Sequence, residues 1–461
     1  MHRRPAPVAL WAALALFLAA SATAQTPADL PPADARGDLL VRGATVYTVT
    51  RGTLEGADVL VRDGRIAEVG TDLRAPSGVR VVEAAGMHLM PGIIDAHSHL
   101  ALSAINEATA PVVAEVRMRD ALDPTDVGLY RALAGGVTTL HALHGSANPI
   151  GGESETVKLR WGTLDPDGLL FEGAPRTIKF ALGENPTRVH GRGRGVRPAT
   201  RMGVEQTIRE AFTEARIYRA EQDDAQRAGR PLPPYSGRLE TLAGVLDGSV
   251  LVHAHSYRAD EILMLLDVLQ DFGVTRLTLQ HANEAFKVAP ELAAFGAEAS
   301  VFSDWRAYKF EVYYSTAYNA AVLTRNGVRT SLNSDDDGMI RTLYHEAAKT
   351  QRYGGLTDEE ALALITINPA HQLGIEERVG SIEVGKDADL ALFTASPLSV
   401  YTRVALTVVD GVVRFDAARD GDDQRLVVDP AERTPEVRLH TGHDEDACME
   451  GALTLDALSG R

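Results

Sequence analysis

A single cysteine, Cys448, stands in 461 residues. That count excludes an internal disulfide and any zinc site built on several thiolates. Positive charge is short as well: 46 Lys and Arg face 63 Asp and Glu, a formal net charge of −17. A phosphate backbone wants a basic surface, so this balance argues against a nucleic-acid partner, although it leaves room for locally basic pockets. The apolar run near the start, Val8 to Ala20, is shorter than the ~20 residues a helix needs to cross a bilayer. Arg3 and Arg4 precede it, and Ala22-Thr23-Ala24 follows ahead of Gln25, the layout of a signal peptide and its cleavage site. No cysteine stands there to carry a lipid. The expectation is a signal peptide over 1–24 and an exported chain, periplasmic or secreted, with no membrane anchor; a homo-oligomer stays open.

What is present is ordinary for a soluble globular protein, 45% apolar and 24% charged, and long enough for one barrel with a smaller companion. Residues 25–36 are rich in Pro, Ala and Asp and read as a flexible leader. From 37 to 91 the pattern is short strands with an Asp63-Gly64 turn, and the same texture returns over 377–415 with Asp410-Gly411. Both ends of the chain are therefore expected to form one β-sandwich, with a (β/α)8 barrel over 92–376 inserted between them. Strand two of that barrel is expected at Gly135–Leu140, strand three at Thr156–Leu159 and strand four at Thr177–Leu182. Residues 183–202 carry too much Gly, Pro and Arg for a regular element, and Gly203–Ala228 reads as helix. The tail, 416–461, is acidic and aperiodic; its His440 and His443 have no regular element to fix them.

Residues 91–99 read Pro-Gly-Ile-Ile-Asp-Ala-His-Ser-His. On a strand, side chains two apart leave the same face, so His97 and His99 point one way and can grip one metal ion. Further apolar runs end in more ligand types: Val250-Leu251-Val252 in His253-Ala254-His255, Leu277-Thr278-Leu279-Gln280 in His281, and Val328–Leu332 in Asn333-Ser334-Asp335-Asp336-Asp337. Thr177–Leu182 carries Lys179 in its middle. Most of these runs precede a helix-compatible stretch, the alternation of a parallel β/α barrel, where reacting groups sit at strand ends.

With these residues assembled, the chain resembles the amidohydrolase superfamily, in its imidazolonepropionase-like and prolidase-like branch. The likeness is carried by PGIIDAHSHL (91–100), GGVTTL (135–140), TIKFALGENP (177–186), VHAHSYRADEI (252–262), LQHANEA (279–285), LNSDDD (332–337) and VGSIEVGKDADLAL (379–392). It implies two divalent metal ions, zinc first among the choices. His97, His99 and Asp335 would hold one ion, and His253 and His281 would complete the other. Lys179, carboxylated by carbon dioxide, would bridge them, with Lys158 a weaker candidate for that place. His255 faces the same way as His253 and is left as a substrate contact. His141 and His144 follow strand two and suit structural or substrate-facing roles.

The chemistry implied is hydrolysis of an amide or dipeptide C–N bond in a small molecule, with Asp335 moving the proton. Asp336 and Asp337 are expected to be loop groups. Arg188, His190, Arg192, Arg194, Arg197 and Arg201 gather after strand four, and Arg188 is the preferred reader of a substrate carboxylate. Two other readings stand beside this one: a deaminase or cyclic-amide hydrolase of the same superfamily, and a non-catalytic binding protein that kept the fold.

Overall fold

Asp63-Gly64 and Asp410-Gly411 are both left-handed pairs, with φ of 50° and 79° in the first and 51° and 74° in the second, the backbone of a two-residue hairpin. The computed structural model describes residues 37–306 and 308–418. The expected signal peptide, the leader, and most of the tail with His440, His443 and Cys448 lie outside those residues. The first turn joins β2 (Thr53–Arg62) to β3 (Arg65–Gly70), and the second joins β15 (Val404–Val409) to β16 (Val412–Asp416). With β1 (Leu39–Tyr47), β4 (Arg80–Glu83), β5 (His88–Pro91) and β14 (Leu390–Phe393) they form one eight-stranded sheet in the order β16-β15-β14-β5-β1-β2-β3, with β4 on β1. The expected small domain is built from both segments, 37–91 and 377–415, as one continuous hydrogen-bonded sheet. It folds over until its turns meet: a side chain on Gly64 would come 2.8 Å from Asp410 O. Its core draws on both halves, Val41, Val46, Val59 and Val61 packing with Leu390, Leu406 and Val408.

The inserted barrel has eight strands in sequential order: β6 (Ile93–Ser98), β7 (Val137–Ala142), β8 (Ile150–Lys158), β9 (Arg176–Ala181), β10 (Val250–Ser256), β11 (Leu277–His281), β12 (Glu298–Val301) and β13 (Thr330–Leu332). β6, β7, β10 and β11 are buried along their whole length, as strands covered on both faces must be. The first and last strands are joined where they end: Ser334 N–H donates to Asp95 Oδ1 (3.1 Å) and Asp335 N–H to His97 O (3.1 Å). Among the described residues no helix is long and apolar enough to cross a membrane.

Two expectations are corrected. Strand three is longer than its expected Thr156–Leu159 and runs antiparallel to both neighbours. The cause is connection length: a parallel neighbour needs a crossover of a dozen or more residues, and only 143–149 separate β7 from β8. The stretch 183–202 is largely helical, with Glu184–Pro186 leading into a wide turn of π geometry at Thr187–Arg192. Glu311, from a distant loop, accepts the Glu184 N–H at 3.0 Å and holds this first turn, a tertiary contact that overrides the local composition. The next helix, Arg201–Arg227, is capped by Thr200 and buries Val204, Ile208, Ala211, Phe212 and Ala215 along one face.

The reversed β8 carries Lys158 to the barrel's far end. There its ammonium is fully buried among Asp387 (2.8 Å), Asp389 (3.2 Å) and Asp410 (2.5 Å), with Arg378 on Asp387 and Arg160 on Asp410. Lys158 is therefore a fastener between barrel and small sheet, and no candidate for bridging metals. Lys158→Met keeps the volume and removes the charge, leaving Asp389 buried without its cation. The expected loss is about 3–5 kcal/mol, read as a lower urea midpoint with an unchanged m-value.

Candidate active site

The site is built where strands stop. His97 lies near the end of β6, His99 just past it, His281 closes β11 and Asp335 follows β13. Two of the four sit in left-handed backbone, His281 at φ 66° and Asp335 at φ 47°. Such strain in non-glycine residues amounts to about 1–3 kcal/mol each and persists where the surroundings over-determine it. His97 Nε2 is 3.2 Å and His99 Nε2 3.3 Å from Asp335 Oδ1, and His281 Nε2 is 3.8 Å from Oδ2. Ligand atoms of His97, His281 and Asp335 all lie within 4.8 Å of one another.

The far side of each ring settles which nitrogen carries the proton. His99 Nδ1–H donates to Leu143 O (2.9 Å), so its Nε2 lone pair faces inward. His97 Nδ1 meets Gln280 Oε1 at 3.2 Å. That amide is oriented by the Ala96 carbonyl, which can only accept and lies 3.3 Å from Gln280 Nε2. The proton therefore sits on His97 Nδ1, and its Nε2 lone pair also faces Asp335. Burial, and next the Lys179 charge, push the His97 pKa down to about 4, so the ring is neutral at neutral pH. Burial drives His281 down as well. For Asp335 burial works against ionisation, and positive charge at His97 and His281 works for it and holds the carboxyl well below the usual carboxylate range; with both rings neutral, that positive charge has to come from a bound cation. Two lone pairs thus point at a carboxylate oxygen with no proton between them. Acceptors repel at such distances, and a cation among them removes the conflict. Imidazole nitrogens and a carboxylate, as His97, His281 and Asp335 supply within reach of one another, suit a divalent ion such as Zn, Mn or Co.

Lys179 is fully buried on β9, with Nζ 3.3 Å from His97 Nε2, the nitrogen that also faces Asp335. The strand-five pair divides in an unexpected way. Gln280 donates to His253 Nδ1 at 3.0 Å, which places the His253 proton on Nε2, where a metal would need a lone pair; the ring packs on His141, centroids 4.5 Å apart. His255 touches Ser146 Oγ through Nδ1 (2.9 Å), its Nε2, like that of His253, is buried without a partner, and its ring lies 4.8 Å from His281. The geometry thus favours His255 in the ligand place expected of His253. Alternation set both rings on one face, and only the cross-strand contact with Gln280 distinguishes them.

Other expectations sort as follows. Asp336 accepts the Met339 N–H and turns the loop, so Asp335 is the aspartate brought to the imidazoles. His144 is no substrate contact: Nδ1–H donates to Gly145 O and Nε2 accepts from Glu107 N–H, both at 2.9 Å, which pins the loop after β6. In the basic stretch, Arg197 pairs with Glu210, and Arg201 with the buried Glu261 and Glu311. Arg188 lies half-buried on the wide turn after β9. Sequence reasoning missed Asp95, which binds Ser334 from β6, and Gln280, which orients two histidines. Both sit beside motif residues, the one signal that could have marked them.

The Amidohydrolase family model matches residues 314–414. A solved amidohydrolase from Thermotoga maritima is 34% identical, covers 82% of this chain and all of its own, and superposes with a TM-score of 0.77. The chain belongs to the amidohydrolase family. The amidohydrolase tasK of Hapsidospora irregularis is 33% identical over 78% of this chain, which spans 40% of that longer protein. A 5-methylthioadenosine/S-adenosylhomocysteine deaminase of Symbiobacterium thermophilum is 23% identical, covering 82% of this chain and 93% of its own. This amidohydrolase is thus a hydrolase with a His-His-Asp group able to hold a metal. Gln280→Leu, which leaves His97 without its acceptor, should weaken zinc affinity by about 10–100-fold, measured by chelator competition. An unchanged affinity would remove the amide from the site's construction.

Proposed function

We propose that the chain is an exported hydrolase of an amide or peptide C–N bond in a small molecule, working with two divalent ions bridged by carboxylated Lys179. The observation that carries this reading is the buried Lys179 Nζ 3.3 Å from His97 Nε2, on the side of the ring that faces Asp335. An ammonium there would repel a divalent ion. Reaction of the free amine with carbon dioxide would form an N–C bond, release one proton and leave a carbamate, a negative group suited to hold divalent ions where an ammonium is not. His97, His99 and Asp335 would hold one ion, and His281 with His255 the other. A divalent ion bound there supplies Lewis acidity, which makes a water acidic near neutral pH and polarises the carbonyl to be attacked.

The chain's own groups do the rest. Asp335, ionised and buried, accepts the proton of the attacking water and delivers it to the leaving nitrogen. Gln280 and the Leu143 carbonyl hold His97 and His99 in the tautomers that present Nε2. Arg188, on the turn after β9, is the proposed reader of a carboxylate near the scissile bond. Export rests on the signal-peptide pattern of residues 1–24. A second reading, a deaminase, is favoured by the likeness to the Symbiobacterium enzyme. Lys179 separates the two, since a single-metal deaminase has no use for a bridging carbamate.

Lys179→Ala should stay soluble, lose most bound metal and activity, and recover part of both with added formate or propionate; full activity without an added acid would show that the lysine is no bridge. Asp335→Asn should lower kcat far more than it raises KM, because proton carrier and ligand are lost together. Asp336→Asn is the control and keeps its kcat. If the two variants exchange behaviour in steady-state assays, the wrong aspartate has been assigned.

A further inference from the structure

We propose that the segment after β12 builds an aromatic wall that selects substrates carrying a large apolar ring beside the scissile bond. This names the substrate class of the site just described and rests on that reading. The chain is poor in aromatics, with 11 Phe, 3 Trp and 12 Tyr, yet seven of them fall between 302 and 318. Four rings run in a circuit from the metal-type histidine and back. Phe302 stacks on His281 (centroids 5.0 Å apart), Trp305 stands edge-on to Phe302 (4.9 Å), Tyr308 follows (5.3 Å), then Tyr257 (6.4 Å), which stacks on His281 from another side (5.5 Å). The Tyr308 and Tyr257 hydroxyls are 3.2 Å apart. Lys309 Nζ lies 4.5 Å over the Tyr257 ring and donates to Asn185, closing one side with a cation.

Packing accounts for only half of this arrangement. Phe302 and Tyr257 are buried and wedge His281 in place. Trp305 and Tyr308 are only half-buried, so the wall keeps aromatic faces toward solvent at the end of the barrel where reacting groups gather. Exposed aromatic area next to a polar reaction centre is recovered when a ligand's apolar group covers it, and offset or edge-on ring contacts add to the gain. Further out, Phe310 and Tyr313 are 81% and 71% exposed, too open to support the fold, and they carry the apolar surface away from the mouth. A ring on the substrate would cover the open parts of Trp305 and Tyr308, the two half-buried members of the wall. A methyl group leaves most of that surface wet.

The test compares Ala-Ala, Phe-Ala and Ala-Phe, which place a ring on either side of the bond. The better ring-bearing dipeptide should exceed Ala-Ala in kcat/KM by at least about tenfold. That ratio should fall toward unity in Trp305→Ala and Tyr308→Ala and survive in Trp305→Phe, with folding checked by circular dichroism and metal content. Binding is read separately by tryptophan emission, with Trp305→Phe as the blank: the ring-bearing dipeptide should shift the Trp305 signal and Ala-Ala should not. If no dipeptide is cleaved but the emission shift appears, the hydrolytic reading fails and the wall stands. Equal kcat/KM for all three dipeptides, or no selective shift, overturns the wall. So does a Trp305→Ala variant that changes only the oligomeric state, since the rings would then be a contact between copies.

Discussion

Asp335 is the residue on which both barrel and site depend. Its backbone N–H closes the sheet by donating to His97 O, while its carboxylate faces the Nε2 atoms of His97 and His99. Backbone and side chain thus tie the last strand to the first through the same residue. The left-handed turn at Asp335 makes this geometry available, and Asp95 pins the neighbouring Ser334 from the opposite strand. A buried carboxylate facing neutral imidazoles is a poor arrangement by itself. It becomes a good one when a cation occupies the middle, so the fold holds its ligands in the spacing that an ion rewards.

Two buried lysines show how one residue type can serve opposite ends of a barrel. Lys158 finds three carboxylates from the small sheet and its connecting segment, and acts as a counter-charge. Lys179 lies beside the histidine nitrogen that faces Asp335, where a bound divalent ion would repel an ammonium and favour a carbamate in its place. Burial is the same for both; the neighbours decide the chemistry.

That contrast also marks what could be read from the chain alone. The H-x-H pair and the two Asp-Gly hairpins were legible because each is a local pattern with a direct backbone consequence. Lys158 and Lys179 look alike locally, each on a β-like run; the resemblance ranked Lys179 first, and strand direction is the physical feature that separates them. Direction was hidden by the expected bounds, since strands ending at Leu140 and starting at Thr156 leave room for a parallel crossover, whereas the observed strands leave only 143–149. The choice between His253 and His255 was hidden as well, because alternation puts both on one face and the deciding contact comes from Gln280 on another strand. The helical turn after β9 was hidden for the same reason: its support, Glu311, is far away in sequence.

Glu311 links these local facts to the shape of the mouth. It and Glu261 are almost fully buried and share the guanidinium of Arg201. The three residues come from the loop after β12, the helix after β10 and the helix after the wide turn that follows β9. Burial, and then the neighbouring Glu311 charge, raise Glu261 to about 7, while Arg201 opposes both effects. The cluster is therefore held together by one cation shared between two carboxylates that would otherwise repel. Through Glu311 it fixes the segment that carries Tyr308 and Lys309, and through Arg201 it fixes the far end of the basic stretch that begins at Arg188. The segment carrying Tyr308 and Lys309 and the stretch ending at Arg201 are thus tied together by one charge arrangement, two buried carboxylates on a part-exposed guanidinium.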